Sequence, residues 1–136
     1  MQGSIMKYRY LIAASLLLGQ SAWAVDCAEA QSQTEMNQCA ADEYKKADQQ
    51  LNQSYQSLLK RANPQQQELL KLSEEAWIKV RDADCKFVSS GAEGGSAQAL
   101  VWNQCLTDKT RERSGFLESF SHCDEGDLSC PVPSRR

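Results

Sequence analysis

The chain has 136 residues, 41% of them hydrophobic and 24% charged, which is the length of one domain. Its 15 basic and 18 acidic side chains give a formal charge of −3, so we do not expect a nucleic-acid-binding surface. His122 is the one histidine, which excludes metal sites that need two imidazoles. The seven glycines form no nucleotide-binding pattern, and we expect no cofactor.

The first 24 residues have the form of a secretory signal peptide. Lys7 and Arg9 precede an apolar run at 11–18, and Ala22-Trp23-Ala24 provides a cleavage site of the small-x-small type. The uncharged stretch is too short to cross a membrane comfortably, although a retained anchor is the alternative. We therefore expect a periplasmic or secreted product with no membrane association after cleavage.

Cleavage after Ala24 would also change the electrostatics of the protein. It removes two basic and no acidic side chains, which takes the formal charge from −3 to −5. An acidic surface speeds encounters with cationic macromolecules more than it adds affinity. The choice between Met1 and Met6 as the first residue stays open, because residues 1–5 add nothing that a signal peptide needs.

The segment after the cleavage site predicts a long amphipathic helix. Ser32-Gln33-Thr34-Glu35 has the form of a capping box, so a helix is expected to begin at Ser32. Apolar residues then recur every three or four positions, which keeps one stripe on one face for about six turns. The stripe consists of Met36, Ala40, Tyr44, Ala47, Leu51, Tyr55 and Leu58.

A second helix is expected to follow almost at once. Asn63-Pro64-Gln65-Gln66 combines a cap, a first-turn proline and a glutamine at the box position, so the first helix should end near Ala62. So short a link makes the two helices antiparallel. The core face of the second helix is expected to be a less regular stripe of Leu69, Leu70, Ser73, Ala76, Trp77, Val80, Asp84, Phe87 and Val88.

A third helix should follow the glycine-containing segment 89–96, with Ser96 as its cap. Its apolar stripe is Leu100, Val101, Leu106, Phe116, Leu117 and Phe120. No alternation of β-branched residues indicates a strand. The fold class is therefore predicted to be all-α: an elongated, disulfide-stapled, antiparallel three-helix bundle over 25–120, with helices of about 25 to 30 residues, and a polar tail at 121–136.

The cysteines predict a disulfide framework. An even number in a small exported chain indicates three disulfides, and the spacing lacks the C-x-x-C pair typical of metal or redox sites. The six residues are Cys27, Cys39, Cys85, Cys105, Cys123 and Cys130.

The pairing of these cysteines is only partly determined by the sequence. Cys123 and Cys130 are expected to pair within the tail. For the other four, depth along the helices at about 1.5 Å per residue favours Cys39–Cys105 with Cys27–Cys85. The alternative pairs sequence neighbours, Cys27–Cys39 and Cys85–Cys105, and requires a tilt of the helices.

A tryptophan and an arginine one turn apart mark the edge of the second helix. Trp77 and Arg81 are followed by Asp82, and we expect the Arg81 guanidinium to lie over the Trp77 ring. Arg81 is expected to bond an acid of the first helix at the same depth, Asp42 or Glu43. A ligand contact by Arg81 is the alternative.

The remaining charged residues do not predict catalysis. Neighbouring acids such as Glu74/Glu75 and Asp82/Asp84 are expected to be solvated on a thin helical rod that supplies no cleft. Arg111 and Arg113 are expected to pair with Glu112, Asp108 or acids of a neighbouring helix. We expect no catalytic residues and no enzymatic activity.

The loop between the second and third helices is the candidate surface for a partner. Glu93, Gly94 and Gly95 are singled out because glycine permits unusual backbone conformations beside a protruding carboxylate. The alternative is an inert connector.

Several residues recur along the predicted helices at specific spacings. They are Glu35-Met36-Asn37-Gln38-Cys39, Tyr44, Ala47-Asp48, Leu51-Asn52, Tyr55, Trp77, Arg81-Asp82, Cys85, Gly94-Gly95, Cys105-Leu106, Thr110 and Arg113. This set resembles the lysozyme-inhibitor LprI N-terminal domain family, and the resemblance extends from Asp26 to about Phe120. The chain departs from the family in lacking a lipid-modified cysteine and in adding the Cys123/Cys130 tail.

The resemblance implies a small exported protein of the bacterial cell envelope. It implies lysozyme inhibition as the function and a cationic lysozyme as the protein partner, with the type of lysozyme left open. The alternative is a structural or envelope-stress adaptor that has a protein partner and does not inhibit lysozyme.

Overall fold

The computed structural model describes residues 27–133, which are all-α. The three helices are α1, Gln33–Arg61; α2, Pro64–Ser89; and α3, Gln98–Glu118. Consecutive helices are antiparallel, so α1 and α3 run in the same direction, and the predicted three-helix architecture is confirmed. Short 3-10 turns occupy Cys27–Glu29 and Ser90–Ala92. The predicted signal peptide lies outside the described residues.

Local capping determines the first two helix starts, as predicted. The Ser32 hydroxyl oxygen accepts a hydrogen bond from the Glu35 amide at 3.0 Å, and the hydroxyl in turn donates to the Glu35 carboxylate at 3.2 Å. At α2 the box is reciprocal: Asn63 Oδ1 accepts from the Gln66 amide at 2.9 Å and Gln66 Oε1 from the Asn63 amide at 3.0 Å. Both helices therefore begin where their side chains satisfy otherwise unpaired amides.

The start of α3 differs from the prediction. The N-cap is Ala97, without a side-chain hydrogen bond, and the helix has 21 residues rather than 25 to 30. Ser96 does not cap it, and the Ser96 carbonyl instead accepts from the Asn37 side chain at 3.0 Å. The Gly95 amide donates to the Ala92 carbonyl at 3.0 Å in a tight turn. Because of this turn, regular helical hydrogen bonding begins only after Ser96.

The apolar core lies toward the end of the bundle where α1 and α3 finish. It is formed by Leu51 and Leu58 of α1, Leu117 of α3 and Val132 of the tail. The tail folds back over the α1–α2 connection, and the Gln66 side chain donates to the Pro131 carbonyl at 2.8 Å. The polar composition of the tail did not predict this buried valine.

In the middle of α3, three small polar residues are buried. Thr107, Thr110 and Ser114 are buried at intervals of three and four residues along α3. Side chains of this size leave room for close approach of a neighbouring helix. Two buried leucines, Leu106 and Leu117, lie on either side of these small residues, so the buried face of α3 is polar only in its middle.

The buried face of α2 is not the predicted one. Its buried residues are Glu74, Arg81, Cys85 and Ser89, with Leu70 and Trp77 packed against the core. The prediction that Leu69, Ala76, Val80, Phe87 and Val88 face the core was wrong, because all five are exposed.

Compared with the prediction, α2 is rotated about its own axis. The disulfide and the ion pairs that it makes with α3 explain this rotation. They attach the face of α2 that carries Glu74 and Cys85, which lies roughly 100° or more around the helix from Val80. Apolar periodicity could not reveal this choice, because the attached face contains charged residues.

The disulfides are Cys27–Cys39 and Cys85–Cys105, each with 5.5 Å between Cα atoms, and Cys123–Cys130 with 6.0 Å. The pairing within the tail is confirmed. The favoured scheme, Cys39–Cys105 with Cys27–Cys85, was wrong, and the alternative is correct.

The pairing depends on which face of its helix each cysteine occupies, and depth along the helices does not reveal that face. The 3-10 turn that begins at Cys27 contacts α1, so Cys27 lies beside Cys39 rather than near α2. Gln104 lies in the groove between α3 and α1, and Cys105 is one residue further, about 100° around the helix and toward α2. Neighbouring helices are offset along the bundle axis, and this offset compensates for a difference of a few residues in the depth of two cysteines.

Candidate functional site

A cluster of aromatic and charged residues lies where α2 faces α1. The Arg81 guanidinium carbon is 5.0 Å from the centre of the Trp77 ring and 5.6 Å from the centre of the Tyr44 ring. Arg81 Nε donates to Asp82 Oδ1 at 2.9 Å. The structure therefore brings together Trp77, Arg81 and Asp82, and the predicted stacking of Arg81 on Trp77 is confirmed.

The predicted ion-pair partner of Arg81 was wrong. Asp42 accepts from the Gln38 side chain at 3.1 Å, and Glu43 pairs with Arg111 of α3 at 3.0 Å. Successive residues of a helix point about 100° apart, so Tyr44 faces α2 while Glu43 faces α3. Arg81 consequently uses Asp82 of its own helix.

A second arginine completes the cluster from α3. Arg113 Nε donates to Glu74 Oε1 at 3.0 Å, and its terminal nitrogen donates to the Ser73 hydroxyl at 2.9 Å. Arg113 also lies 5.7 Å from the Trp77 ring centre, so two arginines flank one indole. The side chains of Glu74 and Arg113 are 11% and 10% exposed, which corrects the prediction that Glu74 is solvated.

Burial raises the pKa of two tyrosines beside this cluster. Desolvation raises the pKa of Tyr44 above its usual value of 10.0, and the nearby Arg81 charge partly opposes the shift. Desolvation also raises the pKa of Tyr55, and the carboxylates of Glu74 and Glu75 add to the effect. Both phenols are neutral at physiological pH, and the two arginines of the cluster are paired, which fits a structural role for these residues.

The loop that follows the C-terminal end of α2 presents a second surface. We call residues 90–97 the pole loop. Gly94 adopts a φ of +79°, which favours glycine, and its amide donates to Gln98 Oε1 at 3.2 Å. A Cβ on Gly95 would lie 3.3 Å from the Ala92 carbonyl oxygen. These contacts give the loop a defined shape.

The predicted contact residues Glu93, Gly94 and Gly95 are all exposed on the pole loop. Glu93 and Gly95 line an open groove of about 650 Å³ together with Lys86 of α2 and Trp102 of α3. Sequence reasoning missed Trp102, although a tryptophan one turn after a glycine loop could have signalled it. Tryptophan is enriched among the residues that dominate binding energy at protein interfaces, and Trp102 is partly exposed in this groove.

The described residues 27–133 show no cluster of three or more histidine, cysteine or acidic side chains able to hold a metal ion. Over the same range, no helix combines the length and the apolar character needed to cross a membrane.

Three comparisons relate this chain to known proteins. Residues 26–117 match the family model described as "Lysozyme inhibitor LprI". The chain is 31% identical over 113 residues to an uncharacterised protein of Rhizobium meliloti (strain 1021), covering 74% of this chain and 81% of that protein. It is similar to the crystal structure of a DUF1311 family protein from Pseudomonas putida KT2440, with a TM-score of 0.58 and 28% identity, over 65% of this chain and 92% of that one.

The family match extends over most of the described bundle. It contains the Cys27–Cys39 and Cys85–Cys105 disulfides, the pole loop and the arginine–tryptophan cluster. The tail with Cys123–Cys130 lies beyond it.

Proposed function

Because the chain belongs to the lysozyme inhibitor LprI family, we propose that it is an exported binding protein of the bacterial cell envelope that inhibits lysozyme. The family match over residues 26–117 is the observation that carries the proposal. It spans the three helices almost completely, so the inhibitory surface is sought on the bundle rather than on the tail.

The cell-envelope location is supported by the covalent structure. Three disulfides persist in oxidising compartments outside the cytoplasm and not in the reduced cytosol. The signal-peptide pattern at residues 1–24 points to the same compartments. This is where an exported protein would meet a lysozyme.

Charge favours the encounter with a cationic lysozyme. After cleavage at Ala24 the chain would carry a formal charge of −5, since only basic side chains are removed. Complementary charge raises the association rate, and the effect falls with salt because charges are screened beyond about 8 Å at physiological ionic strength. We therefore propose that the contacts responsible for the affinity are made by the groove of the pole loop.

The pole loop suits a concave target. It forms one end of the bundle, and this narrow end can approach a substrate cleft more closely than the broad side of the helices. Trp102 would supply apolar contact area, and Glu93 would face basic side chains at the border of the cleft. In this mechanism the inhibitor blocks substrate access and takes no part in chemistry.

The direct test is turbidity clearing of bacterial cell walls. Purified disulfide-bonded protein in excess is added to c-type, g-type or i-type lysozyme, and we expect slower clearing with at least one type. Undiminished lysis by all three types would overturn the proposal.

Paired substitutions test the location of the surface. We expect Glu93→Lys and Trp102→Ala each to weaken lysozyme binding by about tenfold or more in calorimetry, as truncation of a central interface residue does. Glu125→Lys is the matched control, because Glu125 is exposed at the opposite end of the bundle. Equal losses from Glu93→Lys and Glu125→Lys would show a general charge effect and exclude the pole loop as the contact site.

The alternative function is a structural or envelope-stress adaptor. Exposed apolar residues of α2, including Leu72 and Phe87, favour a further protein contact of some kind. A pull-down from periplasm that recovers a defined partner, combined with unchanged lysis by every lysozyme, would support this function instead.

A further inference from the structure

The outward face of α2 carries a continuous apolar stripe that nothing in residues 27–133 covers. Its members recur at intervals of three or four residues that average 3.6, so they lie on one line of the helix over about five turns. We call this set the outer stripe: Leu69, Leu72, Ala76, Val80, Ala83 and Phe87.

The outer stripe is long and well exposed. Leu72 is 60% exposed and Phe87 80% exposed, and from Leu69 to Phe87 the stripe measures about 27 Å at 1.5 Å per residue. Phe116 of α3, also exposed, shares a small apolar hollow with Leu69 and widens the stripe at that end. Single exposed apolar residues are ordinary, whereas a contiguous patch marks an interaction site.

One border of the outer stripe has an ordered charge pattern. Four exposed residues follow each other at intervals of seven, four and seven positions: Glu68, Glu75, Lys79 and Lys86. The N-terminal half of this border is acidic and the C-terminal half is basic. Glu68 lies 3.7 Å from Lys71 in an exposed pair of the kind that contributes little and exchanges readily.

We propose that a second copy of this chain covers the outer stripe, with the two α2 helices antiparallel about a two-fold axis. Such an axis brings the same border of both helices together and reverses its direction. Glu75 of one copy then faces Lys79 of the other, and Glu68 faces Lys86. The midpoint of each pair along the helix is residue 77, so both pairs place the two-fold axis at that residue. Each pair occurs twice in the dimer.

The apolar residues require the same axis. An axis at residue 78 brings Leu69 of one copy opposite Phe87 of the other, and Ala76 opposite Val80. An axis midway between residues 77 and 78 brings Leu72 opposite Ala83. The charged and apolar pairings therefore agree within one residue, which is about 1.5 Å along the helix. A symmetric interface of this kind closes on itself and stops at the dimer.

The test is sedimentation equilibrium of the full disulfide-bonded protein, over concentrations from about 1 μM to about 1 mM. We expect a reversible monomer–dimer equilibrium. Val80→Glu places two charges near the axis and should weaken dimerisation by about a hundredfold or more, because they would be buried without partners.

Val88→Glu is the matched control for this substitution. Val88 is 50% exposed and Val80 57% exposed, both lie on α2, and Val88 is about 80° around the helix from Val80. We expect Val88→Glu to dimerise like the wild type. Circular dichroism of both variants should show unchanged helix content, since neither side chain is in the core.

Charge exchange tests the antiparallel register. Lys79→Glu should weaken the dimer by about tenfold, because Glu75 then meets a carboxylate twice. The double substitution Glu75→Lys with Lys79→Glu should recover the wild-type dissociation constant within about threefold. Failure of the double substitution to recover dimerisation would contradict the register.

Two further results would overturn the proposal. One is a wild-type protein that stays monomeric throughout the concentration range. In that case, weaker lysozyme binding by Val80→Glu would identify lysozyme as the occupant of the outer stripe. The other is assembly beyond the dimer, which a closed two-fold interface excludes. Lysozyme inhibition is measured separately, so its presence or absence leaves this test unaffected.

Discussion

Helices α1 and α2 bury faces of different chemical character in the same bundle. Helix α1 buries an apolar stripe that includes Ala47, Leu51 and Leu58, the face its periodicity predicts. Helix α2 buries Glu74, Arg81 and Cys85 while four large apolar residues outside its core face stay more than half exposed. Burial of an apolar stripe dominates the packing of α1, whereas on α2 an ion pair, stacked arginines and a disulfide add to the packing of Leu70 and Trp77.

The difference shows when an apolar pattern identifies the core. On α1 one face is apolar and the rest is polar, so the buried side follows from the hydrophobic effect alone. On α2 two faces compete, and specific bonds to α3 choose the more polar one. The apolar face left over is then available to another macromolecule.

The buried ion pair on α2 should show the largest effect. Glu74→Ala leaves Arg113 buried without its partner, and we expect the free energy of unfolding to fall by about 3–5 kcal/mol in urea denaturation. Glu75→Ala, at the exposed neighbouring position, should change it by less than about 0.5 kcal/mol. The double variant Glu74→Leu with Arg113→Met should lose much less than Glu74→Ala. A loss as large as that of the single variant would show that the charge pair is not the cause.

The same truncation on the two helices compares their apolar residues directly. Leu51 is 1% exposed and Leu72 is 60% exposed. We expect Leu51→Ala to lower the free energy of unfolding by about 2–5 kcal/mol, because it leaves a cavity in the core. Leu72→Ala should lower it by less than about 0.5 kcal/mol at protein concentrations too low for self-association. Similar losses for the two variants would contradict the described rotation of α2.

The disulfide that joins α2 to α3 should contribute less than the ion pair. It spans 20 residues, and replacing Cys85 and Cys105 by alanine should lower the free energy of unfolding by about 3 kcal/mol. The tail disulfide spans 7 residues, and its removal should lower it by about 2 kcal/mol. Peptide mapping without reduction should recover Cys85 linked to Cys105, and a peptide joining Cys39 to Cys105 would refute the pairing.

Alkaline pH should produce the smallest effect. Because burial raises the pKa of Tyr44 and Tyr55 above 10.0, the unfolded chain releases these protons at lower pH than the folded one. The stabilisation is complete below pH 10 and is lost as the pH rises through the folded pKa. Tyr44→Phe should make the decline above pH 10 less steep in denaturant titrations, and an unchanged slope would contradict burial of this phenol.

The sequence predicted what depends on neighbours within one or two turns. The capping residues Ser32 and Asn63 fixed where α1 and α2 begin, and the spacing of Cys123 and Cys130 indicated their disulfide. The glycine-containing loop between α2 and α3 was also predicted and its Glu93, Gly94 and Gly95 are exposed, while their contact with a partner stays a prediction. Trp102 joined them only in three dimensions.

Local pattern thus determined the number of helices, most of their ends and the face that α1 buries. Tertiary structure decided the rotation of α2, the partners of Cys27 and Cys85, and the burial of Glu74. The physical reason is that caps and helical period act through bonds a few residues long. The choice between two faces of a helix depends instead on which neighbour offers a matching charge or sulfur.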